Sequence, residues 1–180
     1  PLYAHDHVYL HFESHWHLAF NDTRKFGRLW LTQNPQSILH KLGPEPFDPK
    51  LTASLFHDML HKHKRQIKTL LLDQSFIAGL GNIYTDESLF TAGIHPKRLS
   101  NTLTEEDANR LLRAIRKVLR LGIKHNGASI DWVYKGGAFQ NYFQVYQQTG
   151  NPCPRCGQPI QRTVIGQRGT HYCAYCQKAF

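Results

Sequence analysis

The sequence predicts an α+β chain with a strand-like beginning, a helical middle and a small metal-clamped hairpin at the C-terminal end. Three observations carry this. Apolar and polar residues alternate between Val8 and Phe20. From about residue 35 to Lys124 the apolar residues recur at three- and four-residue spacing. Four cysteines, as two Cys-x-x-Cys pairs, then crowd the C-terminal region.

Val8, Leu10 and Phe12 predict a first strand, Trp16, Leu18 and Phe20 a second, and Leu29–Leu31 a third. Asn21-Asp22 and the Arg24–Gly27 stretch connect the last two. Three short strands cannot bury both faces of a sheet, so this region reads as the end of a β domain whose earlier strands precede the sequence. Leu51–Leu60 predicts a helix capped by Thr52, with Leu55, Phe56, Met59 and Leu60 on its core face. A second helix passes through Ile67, Leu70 and Leu71. Gly79-Leu80-Gly81-Asn82 breaks it, and a third runs from about Ile83 to Ala92. Thr104-Glu-Glu-Asp107 opens the longest helix, with acids at the positive end of its dipole. Its core face is Leu111, Leu112, Ile115, Val118 and Leu119, and Asn126-Gly127 ends it. Arg113, Arg116, Arg120 and Lys124 share another side, read as a solvated face.

The chain has 180 residues and a mass of 20.8 kDa, enough for one ordinary domain or two small ones. Hydrophobic residues make up 41%, which supports a packed core, and no apolar run reaches the length of a membrane span. Lys and Arg number 22 against 13 Asp and Glu, a net charge of +9 that suits a polyanionic partner.

Cys153/Cys156 and Cys173/Cys176 have the count and spacing of a structural zinc site, with Pro152, Pro154, Gly150 and Gly157 supplying tight turns. Four thiolates close the coordination sphere, so one Zn²⁺ would brace the fold and catalyse nothing. Two disulfides are the alternative, but a basic chain without a signal peptide does not resemble a small secreted scaffold. Gln161–Ile165 and Thr170–Tyr172 read as two strands joined by Gly166-Gln167-Arg168-Gly169. Arg168 would then project from a rigid tip, where a guanidinium can grip a phosphate with two hydrogen bonds. Gly79-Leu80-Gly81-Asn82 predicts an anion site: the glycines allow close approach, and the following helix offers unpaired N–H groups. The histidines at 5, 7, 11, 15 and 17 follow strand alternation without a matching carboxylate set, and read as ordinary strand and surface residues.

Leu71-Leu72-Asp73-Gln74, Ala78-Gly79-Leu80-Gly81-Asn82-Ile83-Tyr84-Thr85-Asp86-Glu87-Ser88-Leu89-Phe90 and Ala92-Gly93-Ile94-His95-Pro96 closely resemble the helix–two-turns–helix (H2TH) signature of the formamidopyrimidine-DNA glycosylase and endonuclease VIII family. The match is closer to the formamidopyrimidine branch and extends from His5-Asp6-His7-Val8 to the final cysteines. The resemblance implies the end of an N-terminal β-sandwich over residues 1–34, a helical H2TH domain over 35–145 and a zinc finger over 146–180. It implies that Asn82 binds phosphates beside a lesion, that Lys68 approaches the damaged strand and that Arg168 holds the flanking phosphates. Without it, Lys68 reads as a solvated helix lysine. In the Asp22-Thr23-Arg24-Lys25-Phe26-Gly27 turn, the resemblance implies that Arg24 and Phe26 fill the gap left by a flipped nucleotide, with Lys25 near a phosphate. From composition alone Phe26 would be a core residue. Thr23 stands where the family usually has Pro, which predicts a looser turn.

The family's nucleophile is the secondary amine of an N-terminal proline followed by glutamate. This chain begins with Pro1, but Leu2 follows, and the His5-Asp6-His7 segment lies deep in the β domain of relatives. Pro1 is therefore not read as the nucleophile, and the sequence contains no catalytic residue. Asp86 and Glu87 do not replace the glutamate and are expected to be structural. The resemblance implies a base-excision-repair glycosylase and AP lyase, bacterial, monomeric and cytoplasmic at the nucleoid. It would act on double-stranded DNA containing oxidised purines such as 8-oxoguanine. Oxidised pyrimidines, or a non-catalytic zinc-dependent DNA-binding role, are the alternatives. Gly127–Phe139, where the family's lesion-covering loop lies, is a few residues shorter than the common pattern.

Overall fold

The computed structural model describes residues 3–129 and 136–178. Strands β1 (Asp6–His11) and β2 (His17–Asn21) form an antiparallel hairpin in which Val8 faces Phe20 and Leu10 faces Leu18. The expected third strand at Leu29–Leu31 does not form. An apolar triplet marks a segment that could pair, but a strand exists only where a neighbour completes its ladder, and none does so among the described residues.

The helical unit follows. A short helix α1 (Gln36–Leu39) precedes α2 (Ala53–His61), where the Thr52 hydroxyl accepts the Leu55 N–H at 3.2 Å. Phe56 and Leu60 are buried as expected, whereas Leu55 is exposed. At the first turn of a helix, capped from outside the core, the inward face is carried by the residue after it. Helix α3 (Ile67–Leu71) is short and almost entirely buried. Helix α4 (Asn82–Ala92) starts after Gly81 and stops at Gly93, whose left-handed φ of 68° closes the C-terminus. Helix α5 (Glu105–Lys124) opens with a reciprocal capping box between Thr104 and Asp107.

Phe56, Leu60, Ile67, Leu70, Leu71, Leu89, Leu111 and Ile115 build one core from all four of the longer helical segments. Helices α4 and α5 meet closely at Gly122, where a Cβ would stand 2.5 Å from the Tyr84 ring. A side chain there would have to displace the Tyr84 ring. The basic stripe of α5 is not uniformly solvated. Arg116 is half-buried, donating from Nε to the Pro46 carbonyl at 2.7 Å and from Nη2 to the Leu51 carbonyl at 2.8 Å. It thereby ties the loop before α2 to α5, while Arg113, Arg120 and Lys124 stay exposed.

Helix α4 departs from what its composition suggests. Thr85, Asp86, Glu87 and Ser88 are all buried, because both sides of the helix are covered. One side meets the helical core. The other carries the zinc module, whose small core joins Phe90 to Val145, Ile160, Cys153 and Cys173. The Glu87 carboxylate accepts the backbone N–H groups of Gln144, Val145 and Tyr146, with Oε1 at 3.0, 2.9 and 2.9 Å. Burial pushes this carboxyl's pKa up, and the three N–H bonds oppose that rise. Arg155 stacks over the Phe90 ring and donates to the Thr91 carbonyl, and Gln177 donates to the Ile94 carbonyl.

Strands β3 (Gln161–Ile165) and β4 (Arg168–Tyr172) form the second antiparallel hairpin. Its turn is shorter than expected. Gly166 and Gln167 alone make it, with left-handed φ values of 55° and 62°. Such a two-residue turn matches the natural twist of a hairpin, so Arg168 and Gly169 are drawn into β4 opposite Ile165 and Val164.

Replacing Thr104 with Ala removes the acceptor for the Asp107 N–H and should cost about 1 kcal/mol of stability. A lower urea midpoint with an unchanged denaturant slope would show it, and an unchanged midpoint would refute the cap's role.

Candidate nucleic-acid interface

The turn leading into α4 is built by two consecutive polar residues. Asp73 Oδ1 accepts the Ser75 N–H at 3.0 Å and hydroxyl at 2.6 Å, and Oδ2 accepts Arg65 Nη1 at 2.7 Å. The Ser75 hydroxyl and then Arg65 hold the Asp73 pKa down at about 2. Gln74 clasps the glycine turn from both sides: its Oε1 accepts the Gly79 N–H at 2.8 Å and its Nε2 donates to the Leu80 carbonyl at 2.9 Å. Gly79 is left-handed, at φ 84°. Gly81 at the N-cap of α4 supplies no capping side chain.

Asn82 begins α4 and donates from Nδ2 to the Gly169 carbonyl of β4 at 3.0 Å. Lys68 of α3 donates from Nζ to the same carbonyl at 3.1 Å and pairs with Asp86 Oδ1 at 2.5 Å. The other Asp86 oxygen accepts the His171 backbone N–H at 2.9 Å. Burial lowers the Lys68 pKa, the Asp86 carboxylate opposes this, and the nearby positive charge of Arg168 adds to the lowering. Arg168 itself is exposed. Thus Lys68 and Asn82, from two helices, meet on the backbone carbonyl that follows Arg168 in β4. Lys68 is not the solvated helix lysine that its sequence context suggests. Its side chain is wholly enclosed, because α4 and β4 close over α3.

The second group lies on the loop after β2. Asp22 Oδ1 accepts the N–H groups of Arg24 and Lys25 at 3.1 and 3.0 Å, and Oδ2 accepts that of Gly27 at 2.6 Å. These bonds, Gly27's first, pull the Asp22 pKa down. They organise the turn without a proline at Thr23. Phe26 is 79% exposed, with the Arg24 guanidinium 5.7 Å from its ring centroid, so it is not a core residue. The loop is closed by its own short-range bonds and leaves the ring outside.

The four cysteine Sγ atoms lie within 4.8 Å of one another, and none is in a disulfide. Cys153 and Cys176 Sγ are 3.9 Å apart, and Cys156 and Cys173 Sγ are 3.5 Å apart. A tetrahedral Zn²⁺ with Zn–S bonds near 2.3 Å needs sulfurs about 3.8 Å apart. Backbone N–H groups of Arg155 and Cys176 point at the Cys153 and Cys173 sulfurs, as thiolates require. The residues fit one structural zinc, and among the described residues this is the one cluster of three or more such ligands. His11 and His17 face each other across the hairpin with Nδ1 atoms 2.8 Å apart. Pro1 and residues 130–135 of the short loop lie outside the described residues.

Sequence reasoning did not find the partners of Asp86, Glu87 and Gln74. Their signal was weak: two adjacent acids in a helix of mixed polarity, and one glutamine before a glycine turn.

These features define a class: an H2TH unit whose entry turn is joined by a Cys₄ zinc-finger hairpin. Comparison with known proteins agrees. Residues 42–133 match the family described as the formamidopyrimidine-DNA glycosylase H2TH domain, and residues 150–179 match the zinc finger found in FPG and IleRS. A formamidopyrimidine-DNA glycosylase of Desulforamulus reducens is 42% identical over 99% of this chain and 68% of its own length. That of Ligilactobacillus salivarius is 45% identical over 96% of this chain and 66% of its own. The crystal structure of MutM (FPG) from Thermus thermophilus superposes with a TM-score of 0.88 at 40% identity, covering 98% of this chain and 70% of that one. The Lactococcus lactis Fpg complex with abasic-site DNA gives 0.88 at 39%, covering 99% and 68%. The chain belongs to the formamidopyrimidine-DNA glycosylase family. It spans about two thirds of the length of these relatives.

Metal analysis should find one zinc per chain, and chelation should abolish the β3–β4 hairpin signals while leaving the α5 helix. Hairpin signals that persist after zinc loss would contradict the clamp. The Asp73 pKa is lowered on folding, so its contribution is present above the unfolded carboxylate value and lost as pH falls from about 4 towards 2. After allowance for solvent screening it amounts to roughly 1 kcal/mol. Asp73→Asn should remove that acid-sensitive limb of the stability curve, and an unaltered limb would reject the assignment.

Proposed function

We propose that this chain is the DNA-gripping part of a base-excision-repair glycosylase and AP lyase that removes oxidised purines from double-stranded DNA. The carrying observation is that Asn82 and Lys68 meet on the Gly169 carbonyl, next in the chain to the exposed Arg168, beside an α4 N-terminus without a capping side chain. This is a site for a phosphate. The amide and helix N–H groups donate from one side and the exposed guanidinium from the other, while the enclosed Lys68–Asp86 pair, neutral as a unit, holds the β4 backbone between them. In this proposal Asn82 and Arg168 hold the phosphates flanking the lesion. Lys68 reinforces them, Phe26 and Arg24 occupy the space of the flipped nucleotide, and Lys25 meets a neighbouring phosphate. Zinc held by Cys153, Cys156, Cys173 and Cys176 keeps the Arg168 hairpin stiff. The chemistry at the sugar falls to a nucleophile outside the residues assigned here. The protein would act as a monomer on the chromosome, in the cytoplasm at the nucleoid.

Fluorescence anisotropy on a duplex with an abasic-site analogue tests this. The chain should bind it in preference to undamaged duplex, with affinity falling steeply as salt rises. Arg168→Ala should weaken binding roughly ten-fold and reduce the salt slope by about one phosphate contact. Phe26→Ala should erase the preference for the abasic site more than it weakens binding overall. Equal binding by the wild-type and Arg168→Ala chains would reject the proposal.

A further inference from the structure

The zinc-finger hairpin has only two strands, a size that is marginal on its own, and β4 has a free outer edge. In the β3–β4 register Arg168, Thr170 and Tyr172 pair with β3 positions of one parity, so the edge groups of Gly169 and His171 face the other way, towards α3 and α4. Both find partners in one ion pair. Lys68 Nζ donates to the Gly169 carbonyl at 3.1 Å, and Asp86 Oδ2 accepts the His171 N–H at 2.9 Å. The two side chains thus supply the donor and the acceptor that a third strand would have supplied. Thr170, between the two anchored residues, is fully buried, and Arg168 is the residue immediately before them. At the tip, a Cβ on Gly166 would stand 2.9 Å from Thr69 Cγ2, so the turn also rests on α3.

We infer that Asp86 is a positioning residue for DNA binding: with Lys68 it forms a side-chain edge that holds β4 in register and so fixes the strand that carries Arg168 against Asn82. The inference rests on the phosphate-site proposal for its functional consequence, but its structural half is independent of DNA. It also differs in sign from simple electrostatics. Neutralising an acid next to Lys68 and Arg168 makes the site more positive, which alone would tighten binding to a polyanion. Loss of position weakens it instead.

The test is a double-mutant cycle of Asp86→Asn and Arg168→Ala on an abasic-site-analogue duplex, with zinc content measured for every variant. Asp86→Asn should retain its zinc yet bind roughly ten-fold more weakly. In the Arg168→Ala background the same change should cost less than about two-fold, because the group it positions is gone. Unchanged or tighter binding by Asp86→Asn, or an equal cost in both backgrounds, overturns the inference. Amide hydrogen exchange supplies the readout that needs no DNA: the His171 amide should lose protection in Asp86→Asn while the β3 amides keep theirs. If the wild-type chain does not bind the duplex, the phosphate-site proposal fails. Exchange then decides the inference alone, and retained His171 protection overturns it. Should Asp86→Asn not fold, Lys68→Met/Asp86→Leu removes both charges at similar volume and carries the same cycle and exchange measurement.

Discussion

The buried ion pair between Lys68 and Asp86 is the constraint on which the rest of the structure depends. Both side chains are fully enclosed, and each meets its partner and the β4 backbone. Taking two charges out of water is costly, and a buried pair is not in itself a source of stability. What it supplies is a partner for each buried group: removing either side chain leaves an uncompensated charge in the interior, a loss of roughly 3–5 kcal/mol, which disfavours arrangements of α3, α4 and the zinc hairpin that part the pair. The observed arrangement sets Asn82 on the Gly169 carbonyl, next in the chain to Arg168.

Helix α4 is the shared beam. Its N-terminus carries Asn82, its second turn carries Asp86 for the hairpin and Glu87 for the incoming linker, and its last turns offer Phe90 and the Thr91 carbonyl to Arg155. A helix with these duties cannot be amphipathic in the usual manner, because it must be buried on both sides while carrying acids. Each of those acids is matched to a specific donor set rather than to solvent. The zinc site then has a limited role: it closes the base of the hairpin, while α4 determines where the hairpin stands.

The exposed loop after β2 uses a different device. It contributes nothing to a core, and Asp22 alone gathers its three backbone amides. The turn leaves the Phe26 ring exposed beside the Arg24 guanidinium, and its short-range bonds reduce the conformational entropy it has left to lose.

Much was legible in the sequence because it depends on residues close together in the chain. Caps at Thr52 and Thr104, the glycine turn before Asn82, the end of α5 at Asn126-Gly127 and the two cysteine knuckles are all local, and the described structure contains each of them. The glycines do not break α3, however, which already ends at Leu71. Partnerships across the chain were not legible. Lys68 looked like a surface lysine, Arg116 like part of a solvated stripe, and Leu29–Leu31 like a strand, since burial and strand pairing depend on what arrives from elsewhere. The helical unit, the metal ligands and the chemical types at the site follow from local patterns in the chain. The meeting of Lys68 and Asp86 beneath β4 does not, because residues 18 apart in sequence come into contact only when the turn before Asn82 folds α4 back over α3.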